Sequence, residues 1–255
     1  MNTALVCCAK NEDHYIDEWL EYHLKLGFSD IFVYQNDWRY PSGGIFAKNP
    51  QVHFKEMDGN VIQLRSYDTF IMENAGQFDW AGFYDVDEFL DLHIDRNVED
   101  FLTRFSDEVG VHVNCRLYGD SGHSHAPGAS ETWSLLKRFT RRQRDFDRHV
   151  KTFLNLKRIP PTCRFVNPHF ANIQTIDTTG CRGVFGPYDY EPIYPIAQLN
   201  HYYCKTIEEF INIKIPKGKA DTPTMSPAYF RRMDEFAPYN RNEVLDTHAR
   251  DFFLS

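Results

Sequence analysis

The sequence predicts an α/β fold built round a mostly parallel sheet, and three observations carry that reading. Short apolar runs alternate with helical patterns through the N-terminal part of the chain, the signature of strand and crossover-helix units. Turn-forming clusters such as Pro41-Ser42-Gly43-Gly44 separate them. Asp85, Asp87 and Glu88 follow directly on an aromatic strand, and open α/β sheets bind ligands at the carboxyl ends of their strands.

Residues 4–8 read as a buried strand. Ile16, Trp19, Leu20 and Leu24 then recur at helical spacing, with Asn11 or Asp13 as the expected cap and Gly27 as the stop. Residues 31–34 form the second strand and residues 51–57 the third. Residues 62–74 form a helix with Tyr67, Phe70 and Ile71 inward, and residues 80–84 the fourth strand. Asn97 caps a helix whose Val98, Phe101, Leu102 and Phe105 share one face. Strict alternation follows, with Val109, Val111, Val113, Cys115 and Leu117 opposite His112, Asn114, Arg116 and Tyr118, which predicts a half-buried strand. Residues 119–130, rich in Gly, Ser and His, read as a loop able to order over a ligand. Short strands and many prolines come next, and residues 207–211 begin a short helix.

At 255 residues, 42% hydrophobic and 25% charged, the chain is globular with a sizeable core; collagen-like, coiled-coil and disordered classes are excluded. A net charge of −8 argues against a general nucleic-acid binder. The six cysteines contain no Cys-x-x-Cys pair, so reduced thiols in a reducing compartment are expected. The apolar run at residues 4–9 meets Lys10-Asn11-Glu12 and does not read as a signal peptide, which points to the cytoplasm. No apolar stretch approaches the ~18 residues of a membrane span, so a membrane role would be peripheral.

Two carboxylates two residues apart on an extended chain point the same way, so Asp85 and Asp87 can jointly hold a hard cation such as Mg²⁺ or Mn²⁺. The triplet recurs at Asp145-Phe146-Asp147, and position at the end of a strand favours the first copy. His201 and His169 are the candidate third ligands, each after an apparent strand or turn; His123 and His125 lack partners at zinc-site spacing. Lys205, Lys214, Lys217 and Lys219 read either as a solvated basic loop or as the cations that a diphosphate leaving group needs. A second basic run, from Lys137 and Arg138 through Arg141, Arg142, Arg144 and Arg148 to Lys151, reads as a solvated helix face or a surface for anionic lipid.

Several segments recur in a familiar order: Ala9-Lys10-Asn11-Glu12, Glu18-Trp19-Leu20-Glu21-Tyr22-His23, Asp85-Val86-Asp87-Glu88-Phe89-Leu90, Tyr118-Gly119-Asp120-Ser121-Gly122-His123 and Asn200-His201-Tyr202. With them the chain resembles the family-2-like glycosyltransferases of GT-A fold, in the branch related to family 92. The resemblance spans residues 3–219 and implies a Rossmann-related sheet flanked by helices, with a smaller antiparallel acceptor-side part. It divides one domain into a nucleotide-sugar half, residues 1–118, and an acceptor and metal-histidine half, residues 119–219, leaving residues 220–255 as an extension.

The activity so implied is transfer of a sugar from a nucleotide-sugar, a UDP-sugar first, to a hydroxyl of a glycan or glycolipid, as in surface-polysaccharide or lipopolysaccharide assembly. Lys10, Asn11, Glu12, Asn36, Arg65, Asp85, Lys205 and Lys214 match positions that bind the donor, and Asp85, Asp87 and His201 match the Mn²⁺ or Mg²⁺ site. Inversion follows by analogy, with Asp120 as first candidate for the catalytic base and Glu209 as second. The chain departs from relatives at Tyr34-Gln35-Asn36-Asp37-Trp38, where they commonly carry Tyr-Asp-Asn followed by Ser and Asp, and at Lys217-Gly218, where they commonly carry Arg-Gly. Two other readings stand beside it. One is a sugar nucleotidyltransferase, which would show a Gly-rich loop after the first strand; the other is a non-catalytic carbohydrate-binding protein.

Overall fold

The computed structural model describes residues 1–59, 61–128 and 130–255. The N-terminal part is β1 (Thr3–Ala9), α1 (Ile16–Lys25), β2 (Asp30–Gln35), β3 (Val52–Glu56), α2 (Ile62–Asn74) and β4 (Trp80–Phe83). These four strands pair in parallel in the order β3-β2-β1-β4, the connectivity that crossover helices impose. Next come β5 (Glu88–Leu92), α3 (Val98–Thr103), β6 (Gly110–Leu117), α4 (Leu135–Arg138), β7 (Arg141–Arg142) and β8 (Val150–Asn155). The chain continues through β9 (Phe165–Asn167), β10 (Phe170–Ala171), β11 (Thr175–Ile176), β12 (Gly183–Val184) and β13 (Ala197–His201). It ends with α5 (Ile207–Glu209), a π-helical turn Phe210–Lys214, α6 (Ile215–Lys217), α7 (Phe236–Tyr239), β14 (Val244–Leu245) and α8 (His248–Leu254).

The sheet is parallel only in its N-terminal part. β8 lies antiparallel between β4 and β6, and β6 then pairs in parallel with β11 and with β13. β13 in turn pairs antiparallel with β5, from Ala197 opposite Leu92 to His201 opposite Glu88. This pairing carries Asp87 and His201 to one end of a two-stranded arm.

Period-two alternation divides the core between the two faces of the sheet. From β1, Leu5, Cys7 and Ala9 pack with Trp19 and Leu20 of α1 and with Phe101 of α3, whereas Ala4 and Val6 pack with Tyr67 and Phe70 of α2. Each large side chain so buried contributes about 2–3 kcal/mol of transfer free energy. Asn97 caps α3 as expected, its side-chain oxygen accepting from the Asp100 N–H at 2.8 Å.

Four expectations change. Neither Asn11 nor Asp13 caps α1: Asp13 instead accepts from Trp38 Nε1 at 2.9 Å, and the Glu12 carbonyl takes the N–H groups of Tyr15 and Ile16. β6 is buried on both faces because its polar face is covered by the segment from Thr175 to Tyr194; His112 bonds Thr175, Asn114 bonds Asp189, and Arg116 stacks on Tyr194. The basic run is no single helical face. It is divided among α4, β7 and β8, with Arg138 paired to Glu209, Arg142 to Asp246 and Lys151 fully buried. β5 was not foreseen. Residues 119–128 are irregular, as expected of that loop, while residue 129 lies outside the described residues. No helix among the described residues is long and apolar enough to cross a membrane.

Candidate functional site

Parallel pairing of β1, β2 and β4 aligns their carboxyl ends, so Lys10 and Glu12, Asn36 and Asp37, and Asp85 and Asp87 emerge at one edge. They line a cleft of about 240 Å³, closed on the opposite side by Lys214, Lys217 and the segment reaching Tyr229 and Arg231. Backbone strain concentrates here. Among non-glycine residues with positive φ, Asp37 and Val61 line the cleft, and Asn11 and Lys205 line a smaller recess beside it. For β-branched Val61, at φ 53°, that conformation is costly, and such strain gathers at binding sites.

Asp85 is fixed from two sides. Lys151 of β8 donates to its Oδ2 at 2.9 Å, and Gln63 of α2 donates to its Oδ1 at 2.5 Å. Lys151 also lies 3.2 Å from Glu88. Burial alone would discharge this lysine, but Asp85 and Glu88 hold its pKa well above the ordinary value. Burial, with Asp85 adjacent, pushes Glu88 up to about 8, and its Oε1 has no hydrogen-bond partner among the described residues.

Asp87 carries the other half of the site. Lys214 donates to its Oδ2 at 2.8 Å, and His201 Nε2 lies 3.6 Å from its Oδ1. Burial opposes ionisation of Asp87, yet Lys214 and His201 keep its pKa well below the usual carboxylate range. Burial lowers His201 to about 4, so at neutral pH its imidazole is uncharged and free to ligate a cation. Lys214 is lowered to about 8 by burial and by Arg231 and Lys205, against the pull of Asp87. His169, on the same cleft, is lowered to about 3 by burial and by Lys151.

The residues expected at the site divide into three groups. Lys10, Glu12, Asn36, Asp85, Asp87, His201 and Lys214 meet in the cleft. Asn11, Lys205 and Glu209 line the recess, where Lys205 sits over the Tyr15 ring at 4.5 Å. Glu209 there is buried, pairs with Arg138 at 2.9 Å, accepts from Tyr15 and closes a capping box with Thr206. Arg65 and Asp120 line neither. Arg65 donates to the Asp58 carbonyl, and Asp120 accepts from the side chains of Asn240 and Asn242.

Gln63, Tyr203 and Arg231 also line the cleft and were not expected there, and Lys151, read from the sequence as part of the basic run, sits buried behind Asp85. Helical spacing could have found Gln63, because it shares the buried face of Tyr67, to which it bonds at 3.0 Å.

The donor set fits a divalent cation through Asp87 Oδ1 and the neutral His201 Nε2, whereas both oxygens of Asp85 are already engaged. Among the described residues, a second set of side chains could hold a metal: Asp91, His93 and His248 bring one ligand atom each within 4.8 Å of one another. That set includes the 2.5 Å contact between Asp91 Oδ1 and His248 Nδ1.

No protein-family model matches the chain. The chain is similar to glycosyltransferase family 92 proteins. One from Ricinus communis is 25% identical over 132 residues, 48% of this chain and 24% of that protein. Another from Oryza sativa subsp. japonica is 25% identical over 133 residues, 46% of this chain and 21% of that protein. The chain therefore spans no more than about a quarter of the length of these relatives. Among solved structures, HddC from Yersinia pseudotuberculosis superposes with TM-score 0.36 at 11% identity, over 67% of this chain and 82% of that one. A 4-diphosphocytidyl-2C-methyl-D-erythritol synthase superposes with TM-score 0.35 at 9% identity, over 61% and 76%. The architecture itself is α/β, a mixed sheet flanked by helices whose parallel part and antiparallel arm agree with a GT-A-like arrangement.

Proposed function

We propose that the protein is a glycosyltransferase that moves a sugar from a nucleoside-diphosphate sugar, a UDP-sugar first, to a hydroxyl of a glycan or glycolipid. The observation that carries this reading is the Asp87–His201–Lys214 group at the carboxyl edge of the sheet, an anion and a neutral ligand set among cations. The similarity to family 92 proteins supports it.

Lys10, Lys214, Lys217 and Arg231 surround the place where a diphosphate would lie, and the buried Nε of Arg231 has no partner among the described residues. Asp87 and His201 would hold Mn²⁺ or Mg²⁺, which supplies neutralisation of the charge growing on the leaving diphosphate. Lys151 and Gln63 keep Asp85 ionised and fixed in orientation, so its position is set before the donor arrives. The acceptor oxygen bonds the anomeric carbon from the face opposite the diphosphate. The bond to the phosphate oxygen breaks with its electron pair, and the hydroxyl proton passes to a base, giving inversion.

Thermal unfolding with UDP, other nucleoside diphosphates, nucleoside triphosphates, sugar phosphates and nucleotide-sugars, each with Mn²⁺, Mg²⁺ or EDTA, tests the reading. A metal-dependent rise in Tm with UDP is expected, and Asp87→Ala should abolish its metal dependence. A rise only with a nucleoside triphosphate and a sugar phosphate would replace transfer by nucleotidyl transfer. No rise with any nucleotide would remove the enzyme reading.

A further inference from the structure

A second, wider concavity of about 570 Å³ opens beside the C-terminal half of β6. Its walls are residues 143–149 and 188–192, and no role in the donor cleft accounts for them. Three large aromatic side chains stand open on it: Phe146 at 70% exposure, Tyr188 at 44% and Tyr190 at 71%. The two walls are cross-linked. The Arg148 carbonyl accepts from the Asp189 N–H at 2.7 Å, the Tyr194 hydroxyl bonds the Asp147 N–H at 3.0 Å, and Asp189 is buried against Arg182 at 2.7 Å. The aromatics therefore stand on a fixed platform rather than on a loose loop.

Polar groups of matching kind border these rings. Gln143 is 2% exposed, lines the concavity, and its amide nitrogen has no partner among the described residues. Such a buried donor costs free energy unless something supplied from outside accepts from it. Asp145 and Arg241 form a 3.2 Å pair at the rim, and Arg148 lies 5.2 Å from the Tyr190 ring centroid. Rings that offer apolar faces, with carboxylates and guanidinium groups at their edges, suit a sugar, whose C–H faces stack while its hydroxyls bond. The second Asp-x-Asp triplet, Asp145-Phe146-Asp147, belongs to this surface.

The concavity adjoins the cleft. The His149 ring lies 5.0 Å from Tyr188 on one side and 5.1 Å from His169, a cleft residue, on the other. Asp147 Oδ1 accepts from the His149 backbone N–H and meets Nδ1, both at 2.8 Å. With Nδ1 holding its proton toward Asp147, Nε2 keeps a lone pair, and it has no protein partner among the described residues.

Resting on the transfer reading above, we infer that this concavity binds the acceptor as a saccharide. His149, oriented by Asp147, takes the proton of the attacking hydroxyl at the junction with the cleft. The O–H proton moves to Nε2 as the new carbon–oxygen bond forms and the diphosphate leaves with the old bonding pair.

The test is saturation-transfer NMR with methyl glycosides of the common hexoses and N-acetylhexosamines, on the full chain with UDP and Mn²⁺. At least one glycoside should receive saturation, and Tyr190→Ala and Phe146→Ala should each cut it five-fold or more while leaving the UDP-induced rise in Tm unchanged. If no glycoside responds, or if the response persists in both variants, the saccharide site is overturned and the donor reading is untouched. Saturation without any nucleotide-induced rise in Tm would keep the site and remove the transfer reading. With the responding glycoside as acceptor, His149→Gln should lower kcat about 100-fold at unchanged KM, whereas an unaltered kcat would remove His149 from the chemistry.

Discussion

At the scale of single residues, the expected base Glu209 and the buried Lys151 show how environment decides what a charge does. Glu209 has Arg138, Tyr15 and Thr206 around it. Burial would raise its pKa, but hydrogen bonds from these three hold it below the usual value. Because the folded value is the lower one, the stabilisation is full above the unfolded pKa of about 4.3 and is lost as pH falls through the folded value. Glu209→Gln should then cost about 3 kcal/mol at pH 6, by leaving Arg138 without its counter-charge. Urea unfolding of both proteins at pH 6 and pH 3.5 checks this: the gap should shrink in acid, and a gap independent of pH would show that the carboxylate charge contributes nothing. Lys151 makes the complementary point. In the sequence it ends a basic run and reads as solvated, yet it sits fully buried between Asp85 and Glu88. A strand interior holds a charge only when counter-charges on neighbouring strands meet it, and that pairing is tertiary information.

At the scale of elements, most of the scaffold was legible because its signals are local. Residues 62–74 became α2 with no change of boundary, and Asn97 capped α3, since helical period and cap chemistry lie within a few neighbouring residues. The placement of Asp85 and Asp87 was legible from the rule for carboxyl edges, whereas Lys10 and Asn36 were expected beside them only through the family resemblance. The second face of β6 was not, because alternation reports polarity and does not say whether a later segment will cover the polar side. Nor was β5, whose partner β13 lies far along the chain. Two caps of similar chemistry give a prediction at this scale. Asn97 caps α3, distant from the cleft, whereas Thr206 opens the helical stretch that carries Lys214 and Lys217 to it. Asn97→Ala and Thr206→Ala should each cost about 1 kcal/mol in chemical unfolding. Only Thr206→Ala should also weaken calorimetric UDP binding; equal affinities in the two variants would sever the link between that cap and the lysines.

At the scale of the whole molecule, residues 220–255 are bound into the fold by contacts on both sides of the cleft. β14 pairs with β7, Arg142 and Asp246 meet at 2.5 Å, and Asn240 and Asn242 hold Asp120. α8 sets Phe252 against Tyr22, at 5.4 Å between ring centroids, and His248 against Asp91. Nearer the site, Tyr229 and Arg231 close the cleft, and Arg231 donates to the Gly218 carbonyl at 2.6 Å. Stability and ligand binding should therefore separate along this segment. A chain ending at residue 246 loses α8, uncovers Tyr22 and leaves Asp91 without His248, yet keeps Arg231 and β14. It should melt several degrees lower, from a loss of about 2–4 kcal/mol of apolar burial, and still show the full UDP-and-Mn²⁺ rise in Tm. Arg231→Gln in the full chain should do the reverse, keeping Tm within a degree or two and losing most of that rise. If the shortened chain also fails to respond to nucleotide, α8 and the cleft form one cooperative unit, and burial alone does not describe what the C-terminal segment contributes.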